Sequence, residues 1–323
     1  MRTYILRRVL INIPIILLVV TMVFFATSIL PGDFVAQRIA AQNPIPDDPV
    51  AQQAQIRAVK EDLGLNDTPV IRYFKYLGNL AQGDFGTSFQ TRENAIKGFA
   101  DGLPYTLQLS VMTLIIALVT SIPIGIISAI RQDSAVDYIL RIVAIVALAA
   151  PSFWVATMLL LYIVRWGLWD IDLTGHPLLW EDPVVSLKLF AVPAIAGGLA
   201  SGAGVMRLLR SQMLEVLRQD YVRTAWAKGL RERVIITRHA LKNALVPVVT
   251  VLGLTIAGLI SGNVVFEFLF GLPGIGNRIL SAIRARDVPV VQSFILVIAT
   301  FVVFVNLAID VLYGVLDPRI RFS

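Results

Sequence analysis

The sequence predicts an all-α, polytopic membrane protein with six transmembrane helices and a small external segment after the first. Three observations carry this expectation. Hydrophobic residues make up 56% of the 323 and charged residues 15%, against about 45–50% and about 25% in soluble proteins. The apolar residues gather into uncharged stretches of about 20, the length that crosses a hydrocarbon core of about 30 Å. The basic residues gather in certain connections between those stretches, as membrane insertion requires. With 22 Gly, 16 Pro and a mean hydropathy of +0.74, neither a disordered chain nor a coiled coil fits. The chain has no cysteine, which excludes disulfides, thiolate metal sites, iron–sulfur clusters and a cysteine nucleophile.

The first span, Val9–Leu30, follows Arg2, Arg7 and Arg8. It is longer than the apolar core of a signal peptide and reads as an uncleaved anchor. Residues 31–102 are polar, with a linker-like stretch at Pro44, Pro46 and Pro49 and helical patterning over Ala51–Leu63 and Val70–Leu80. They form an external domain or cap. Leu103–Ile130 and Ile142–Val164 supply the second and third spans. The fourth, Leu189–Met206, is short and rich in Gly and Ala at Gly197-Gly198 and Gly202-Ala203-Gly204; small residues of this kind favour close helix packing in lipid. Asn243–Phe266 and Val288–Ile309 complete the set. Pro14, Pro123, Pro151 and Pro247 lie in or near the spans and are expected to mark kinks, not breaks, because neighbouring helices re-satisfy the freed carbonyls. The chain thus divides into 1–30, 31–102 and 103–323.

Charge sets the orientation. Residues 207–242 hold nine Lys and Arg against Glu215, Asp220 and Glu232, so this loop is predicted to be cytoplasmic. The connection with Arg131 and Arg141 and the tail with Arg319 and Arg321 fall on the same side, whereas 164–187 carries Asp170, Asp172, Glu181 and Asp182. Both termini are then inside. The net charge of +6 reflects topology, and nucleic-acid binding loses its main support.

The motifs for soluble chemistry are missing. There is no G-x-x-x-x-G-K-[ST] phosphate loop, no H-E-x-x-H and no G-x-S-x-G, and the two histidines, His176 and His239, stand far apart in sequence. ATP binding by that loop, a zinc site and a serine nucleophile all lack their residues, and Ser201-Gly202 reads as helix packing. No enzyme activity is expected, and no cofactor in this chain. Ion-coupled carriers place titratable groups within their spans. Here Asp310, one turn after Asn306 near the inner end of the last helix, is the nearest candidate. It reads more simply as an interfacial carboxylate paired with a basic neighbour. Gly198/Gly202 and Gly258/Gly262 have GxxxG spacing and offer a pairing face for another helix bundle. Ser152, Thr157, Thr250, Thr255, Asn263 and Gln292 either line a pathway or bond a neighbouring helix. The segment Phe270-Gly271-Leu272-Pro273-Gly274-Ile275-Gly276 demands a tight turn.

The informative segment is Gln219-Asp220-Tyr221-Val222-Arg223-Thr224-Ala225-Trp226-Ala227-Lys228-Gly229-Leu230. Asp220 suits an N-cap, Lys228 the C-terminal dipole, and Gly229 a left-handed residue that ends the helix. Two turns, about 12 Å, follow. So short a helix needs a surface to hold it. Tyr221, Ala225 and Trp226 are expected on its exposed face, either to fill a groove in a cytoplasmic protein or to lie on headgroups.

This loop resembles the EAA region of ABC-importer permeases of the dipeptide, oligopeptide and nickel branch. The similar residues are Asp220 to Ala225, Ala227 to Leu230, and His239-Ala240-Leu241-Lys242-Asn243-Ala244-Leu245-Val246-Pro247. The likeness extends to Arg7-Arg8, Pro31-Gly32-Asp33, Gly83-Asp84-Phe85-Gly86, Pro151-Ser152-Phe153-Trp154, Pro273-Gly274-Ile275-Gly276 and the ending Asp310 to Arg319. Arg223-Thr224-Ala225 replace the first three positions of the wider EAA-x-x-x-G pattern, Lys242 its later proline, and Trp226 a smaller or basic residue. The first two departures are similar to what the peptide and nickel branch shows.

The resemblance implies a type I importer permease fold in a bacterial-type inner membrane. It also implies a second permease subunit, expected to be a different chain, two cytoplasmic ATPases that bind the ATP and Mg, and an external substrate-binding protein. Asp220, Tyr221, Thr224, Ala225, Lys228, Gly229, Leu230 and His239 are the implied ATPase-coupling residues. Cargo in this branch includes peptides, nickel, glutathione and sugars, with peptides first. The alternatives are an ATP-independent carrier or channel and, with less support, a membrane-embedded hydrolase.

Overall fold

The computed structural model describes residues 2–29, 49–62, 67–169 and 175–316. Pro31-Gly32-Asp33, Pro44, Pro46, Leu63, Asp170, Asp172 and the Asp317-Pro318-Arg319 ending lie outside them. The helices are α1 (Arg2–Ile29), α2 (Pro49–Asp62), α3 (Pro69–Ala81), α4 (Ala95–Ile130), α5 (Ala135–Ala149), α6 (Ser152–Arg165) and α7 (Pro183–Leu217). They continue with α8 (Asp220–Ala227), α9 (Glu232–Val234), a π turn (Ile235–Ala240), α10 (Leu241–Gly262), α11 (Val264–Leu269), α12 (Ile275–Arg284) and α13 (Val288–Leu316). The described residues contain no strand beyond an isolated bridge between Thr87 and Asn94. Pro14, Pro123 and Pro247 sit within α1, α4 and α10.

Among the described residues five helices are each long and apolar enough to cross a membrane. The predicted third span departs from expectation. It is two helices, α5 and α6, meeting at 98°, so Pro151 marks a break. Ala150 is extended at φ −77°, ψ 130°, where the ring of a following proline pushes a residue. A sixth crossing exists if this bent pair counts as one span.

Contacts divide the chain into two units: residues 1–104 with 273–307, and 105–272 with 308–323. In the first, α3 lies on α1 through Thr21 and Tyr73, whose hydroxyls are 2.6 Å apart, and through the rings of Phe24, Tyr73 and Tyr76. Burial pushes the Tyr76 phenol up to about 12, so it stays neutral. Gln292 of α13 donates to Thr27 of α1 at 2.6 Å, and Phe99, Ile275 and Phe294 form a small apolar core. The expected tight turn at Pro273-Gly274 is the start of α12, with Gly274 as its N-cap and Gly276 buried inside it. Gly102 approaches there so closely that a Cβ would sit 3.1 Å from the Ile275 nitrogen.

In the second unit α7 is central. Half of its membrane-length window is buried, against 22–33% for the other spans. The reason is side-chain size: a Cβ at Gly198 would lie 2.7 Å from Ile116, and one at Gly202 3.0 Å from the Ala117 carbonyl. The Gly- and Ala-rich span is thus the best packed, and Gly198/Gly202 serves packing on α4 within this chain. Beyond the predicted end at Met206, α7 runs on to Leu217, so the first part of the 207–242 loop is helix.

Buried polar groups in this unit are tied together, as they must be away from water. Thr106 donates to Glu267 at 2.6 Å, Gln108 to Ser186 at 2.8 Å and Asn263 to Ser110 at 2.8 Å. Glu267 is fully buried on α11, one residue past the predicted fifth span. Hydropathy on its own does not find it.

Candidate functional site

The site is built around α8. Its preceding helix ends at Leu217, and Arg218 and Gln219 close the turn, donating to the carbonyls of Glu215 at 3.3 Å and Val216 at 3.1 Å. Gln219 is the N-cap, without a side-chain cap. This corrects the expectation for Asp220, which is the first helical residue. Its carboxylate is exposed and accepts from Arg223 at 3.4 Å, and its charge there favours the positive end of the helix dipole.

The C-terminus is as expected. Gly229 has φ +72°, its N–H donates to the Trp226 carbonyl at 2.9 Å, and the Leu230 N–H reaches the Ala225 carbonyl at 3.4 Å. These two bonds form a Schellman motif, which satisfies the last carbonyls of α8 and turns the chain sharply. Lys228 is the C-cap and is exposed.

One face of α8 is spent inside the protein. Val222 and Ala225 are buried and pack with Ile235 of the π turn and with Val216 and Leu217 of α7. Ala225, expected to face outward, is 5% exposed. Spacing of i and i+3 puts it on the Val222 side, a face that becomes internal only because Ile235 folds back. The outward face carries Asp220, Tyr221, Arg223, Thr224, Trp226, Ala227 and Lys228, with Tyr221 44% and Trp226 48% exposed.

Tyr221 also ties α8 to the following helix. Its hydroxyl accepts from Asn243 at 2.8 Å and donates to the His239 carbonyl at 3.5 Å, and Asn243 donates to that carbonyl at 3.1 Å. His239 thus takes part through its backbone. Its place in a π turn is in keeping with the concentration of such turns at functional sites. The sequence reading missed Val222, Ile235 and Asn243 as parts of the joint; the apolar pair Val222 and Ala225, three apart, was the available signal.

Of the other candidates, Asn263 and Gln292 bond neighbouring helices, while Thr157, Thr250 and Thr255 donate to carbonyls of their own helices. Among the described residues no group of three or more His, Asp or Glu is placed to hold a metal. What α8 presents is a rigid, ridged surface with mixed charge and two aromatic rings, suited to seating in a groove.

Residues 121–322 match the family described as the binding-protein-dependent transport system inner membrane component. The chain belongs to that family. The match on this permease runs from the second half of α4 through α13 and so contains the whole α7–α8–π-turn joint. It is 37% identical to the dipeptide transport system permease protein of Alkalihalophilus pseudofirmus and 37% identical to the oligopeptide transport system permease protein of Bacillus subtilis, over 100% of both chains in each case. It is 34% identical to the dipeptide transport system permease protein of Escherichia coli K12 over 99% of both chains. This permease is therefore a multi-pass membrane component of a transport system and not an enzyme.

Proposed function

We propose that this chain is a permease subunit of an ATP-driven importer, that its cargo is di- or oligopeptides, and that α8 is where the ATPase acts. The observation that carries the proposal is the construction of α8. A helix of 8 residues is unstable alone, yet this one is capped, pinned on one face by Val222, Ala225 and Ile235, and open on the other. Peptide cargo rests on the names of the similar permeases.

In this reading both termini and α8 face the cytosol, as the nine basic residues of 207–242 favour. Partner ATPases bind the ATP and Mg, an external binding protein delivers cargo, and a second permease, expected to be a different chain, completes the pathway. Asp220, Tyr221, Thr224, Lys228 and the Gly229-Leu230 turn form or border the contact surface. Ala225 and His239 hold it from within. ATP-driven closure of the partners displaces α8, and the free energy enters as differential contact in the two states.

A photoreactive residue at Thr224 or Trp226, in membranes where uptake is running, tests this. Adducts with an ATP-binding polypeptide are expected. Adducts with lipid alone would overturn it, and solute flux through the chain reconstituted alone in liposomes would favour the carrier or channel instead.

A further inference from the structure

Asp137 is fully buried at the start of α5, with Arg210 of α7 forked onto it. Arg210 Nε donates to one carboxylate oxygen at 2.8 Å and Nη2 to the other at 2.7 Å. Ser128 Oγ of α4 donates to the first oxygen, and the Asp133 backbone N–H to the second at 3.1 Å. A carboxylate has about four acceptor positions, and here four donors from α4, the 131–134 turn and α7 meet on it. The Ser134 hydroxyl, capping α5, accepts from the Asp137 N–H at 3.3 Å, which fixes the carboxylate's own backbone.

The rest of α5 packs on α7 by one face and turns the other outward. Its Tyr138, Ile139, Ile142, Val143, Ile145 and Val146 are exposed. Its packing on α7 above the ion pair consists of Leu140, Ala144 and Ala147 against Ala203 and Met206. An open groove of about 110 Å³ lies there, lined by residues including Thr120, Leu140, Ala147, Leu199 and Gly202. The far end of α5 is the 98° break at Pro151. The helix is therefore fastened at Asp137, flanked by this groove, and sharply bent at its other end.

The fastening leads directly to α8. Arg210 lies seven residues, about 10 Å of helix, before the end of α7 at Leu217. From there Val216, Leu217 and Val222 pack across the short turn into α8. A Cβ at Gly125 would sit 3.1 Å from the Met206 carbonyl, so α4 and α7 already touch one turn above the ion pair, and the open groove lies on the α5 side. Separating the two charges would strand the buried Asp137 carboxylate away from water, so the pair moves together or breaks outright.

From this geometry we propose that Asp137 is a positioning residue for transport: through Arg210 it makes α5 follow the displacement of α7 and α8, swinging about the bend at Pro151 into the adjoining groove. This rests on the importer reading given above.

The test uses the assembled complex in lipid nanodiscs: both permeases, the ATPases and the binding protein loaded with dialanine. The chain has no cysteine, so with cysteine-free partner proteins spin labels at Ile139→Cys on α5 and Glu215→Cys on α7 report the α5–α7 distance. With the ion pair intact, that distance stays the same with and without ATP, and the binding protein stimulates ATP hydrolysis. The neutral pair Asp137→Asn with Arg210→Gln removes both charges together, leaving neither stranded. It should make the distance change on adding ATP and reduce binding-protein stimulation about tenfold, within the ordinary range of coupling between sites. A merely structural ion pair would lower thermal stability and leave both readouts of the assembled fraction unchanged; that result overturns the proposal. If the neutral pair does not assemble, Arg210→Lys decides, because it keeps the charge but cannot fork onto both oxygens of Asp137: a distance that still does not change on adding ATP, with undiminished stimulation, would overturn the proposal. A wild-type complex that does not respond to binding protein would instead sink the importer reading.

Discussion

The Tyr221 hydroxyl accepts a hydrogen bond from Asn243 at 2.8 Å, joining α8 to the first turn of α10 across 22 residues of chain. Both side chains are exposed, so the bond competes with water. Tyr221→Phe should cost about 0.5–1 kcal/mol, seen as a small fall in the thermal midpoint of the purified permease. Its effect on uptake should exceed its effect on stability, because α8 loses its tie to the helix after it while its buried face stays packed.

Gly229→Val should leave the chain inserted and abolish uptake. A Cβ at Gly229 meets nothing within 4 Å, so the penalty is conformational: φ +72° is a region that a β-branched residue avoids. Gly229→Asn, which tolerates that region, should retain most activity. Membrane abundance by immunoblot alongside peptide uptake separates insertion from coupling, and full uptake by the Val variant would refute the capped-lever account.

On α7 two glycines six residues apart should behave oppositely. Gly198→Ala drives a methyl to 2.7 Å from Ile116 and should cost about 1–3 kcal/mol through overpacking. Gly204→Ala meets nothing within 4 Å and should be neutral or raise the thermal midpoint, since alanine favours helix by up to about 1 kcal/mol. Equal effects of the two would contradict the packing assigned to this helix.

Asp287 ends the turn after α12 and is 3% exposed. It accepts from the Ser88 hydroxyl and from the backbone N–H groups of Phe89 at 3.1 Å and Gln90 at 3.5 Å. Removing a buried carboxylate leaves those donors unpaired, at about 1–3 kcal/mol. Asp287→Ala should loosen the 88–94 turn and speed tryptic cleavage after Arg92, while Asp287→Asn should do so less. Mass spectrometry of timed digests gives both rates.

Much of α8 was legible because helix ends are local. Gly229 serves its own turn, and the expected left-handed conformation and two-turn length are both present. The start differed by one residue, since backbone geometry placed the cap at Gln219 despite the better capping side chain of Asp220. Ala225 was misplaced for another reason: its inward direction depends on Ile235, which reaches it only after the Schellman turn and the π turn bring the chain back. The short hydrophobic pair could be read as outward or inward until its partner was known.

The same division separates the spans from their packing. Hydropathy identifies what must leave water, a property of each segment taken alone, and so the amino-acid sequence by itself determined a helical membrane protein and the place and extent of α8. Which glycines sit at contacts, that Pro151 breaks a span, and that Asp137 meets Arg210 across 73 residues were decided by tertiary structure. Those outcomes depend on distances between residues far apart in the chain, and the buried Asp137 carboxylate is matched by a guanidinium that arrives from a distant helix.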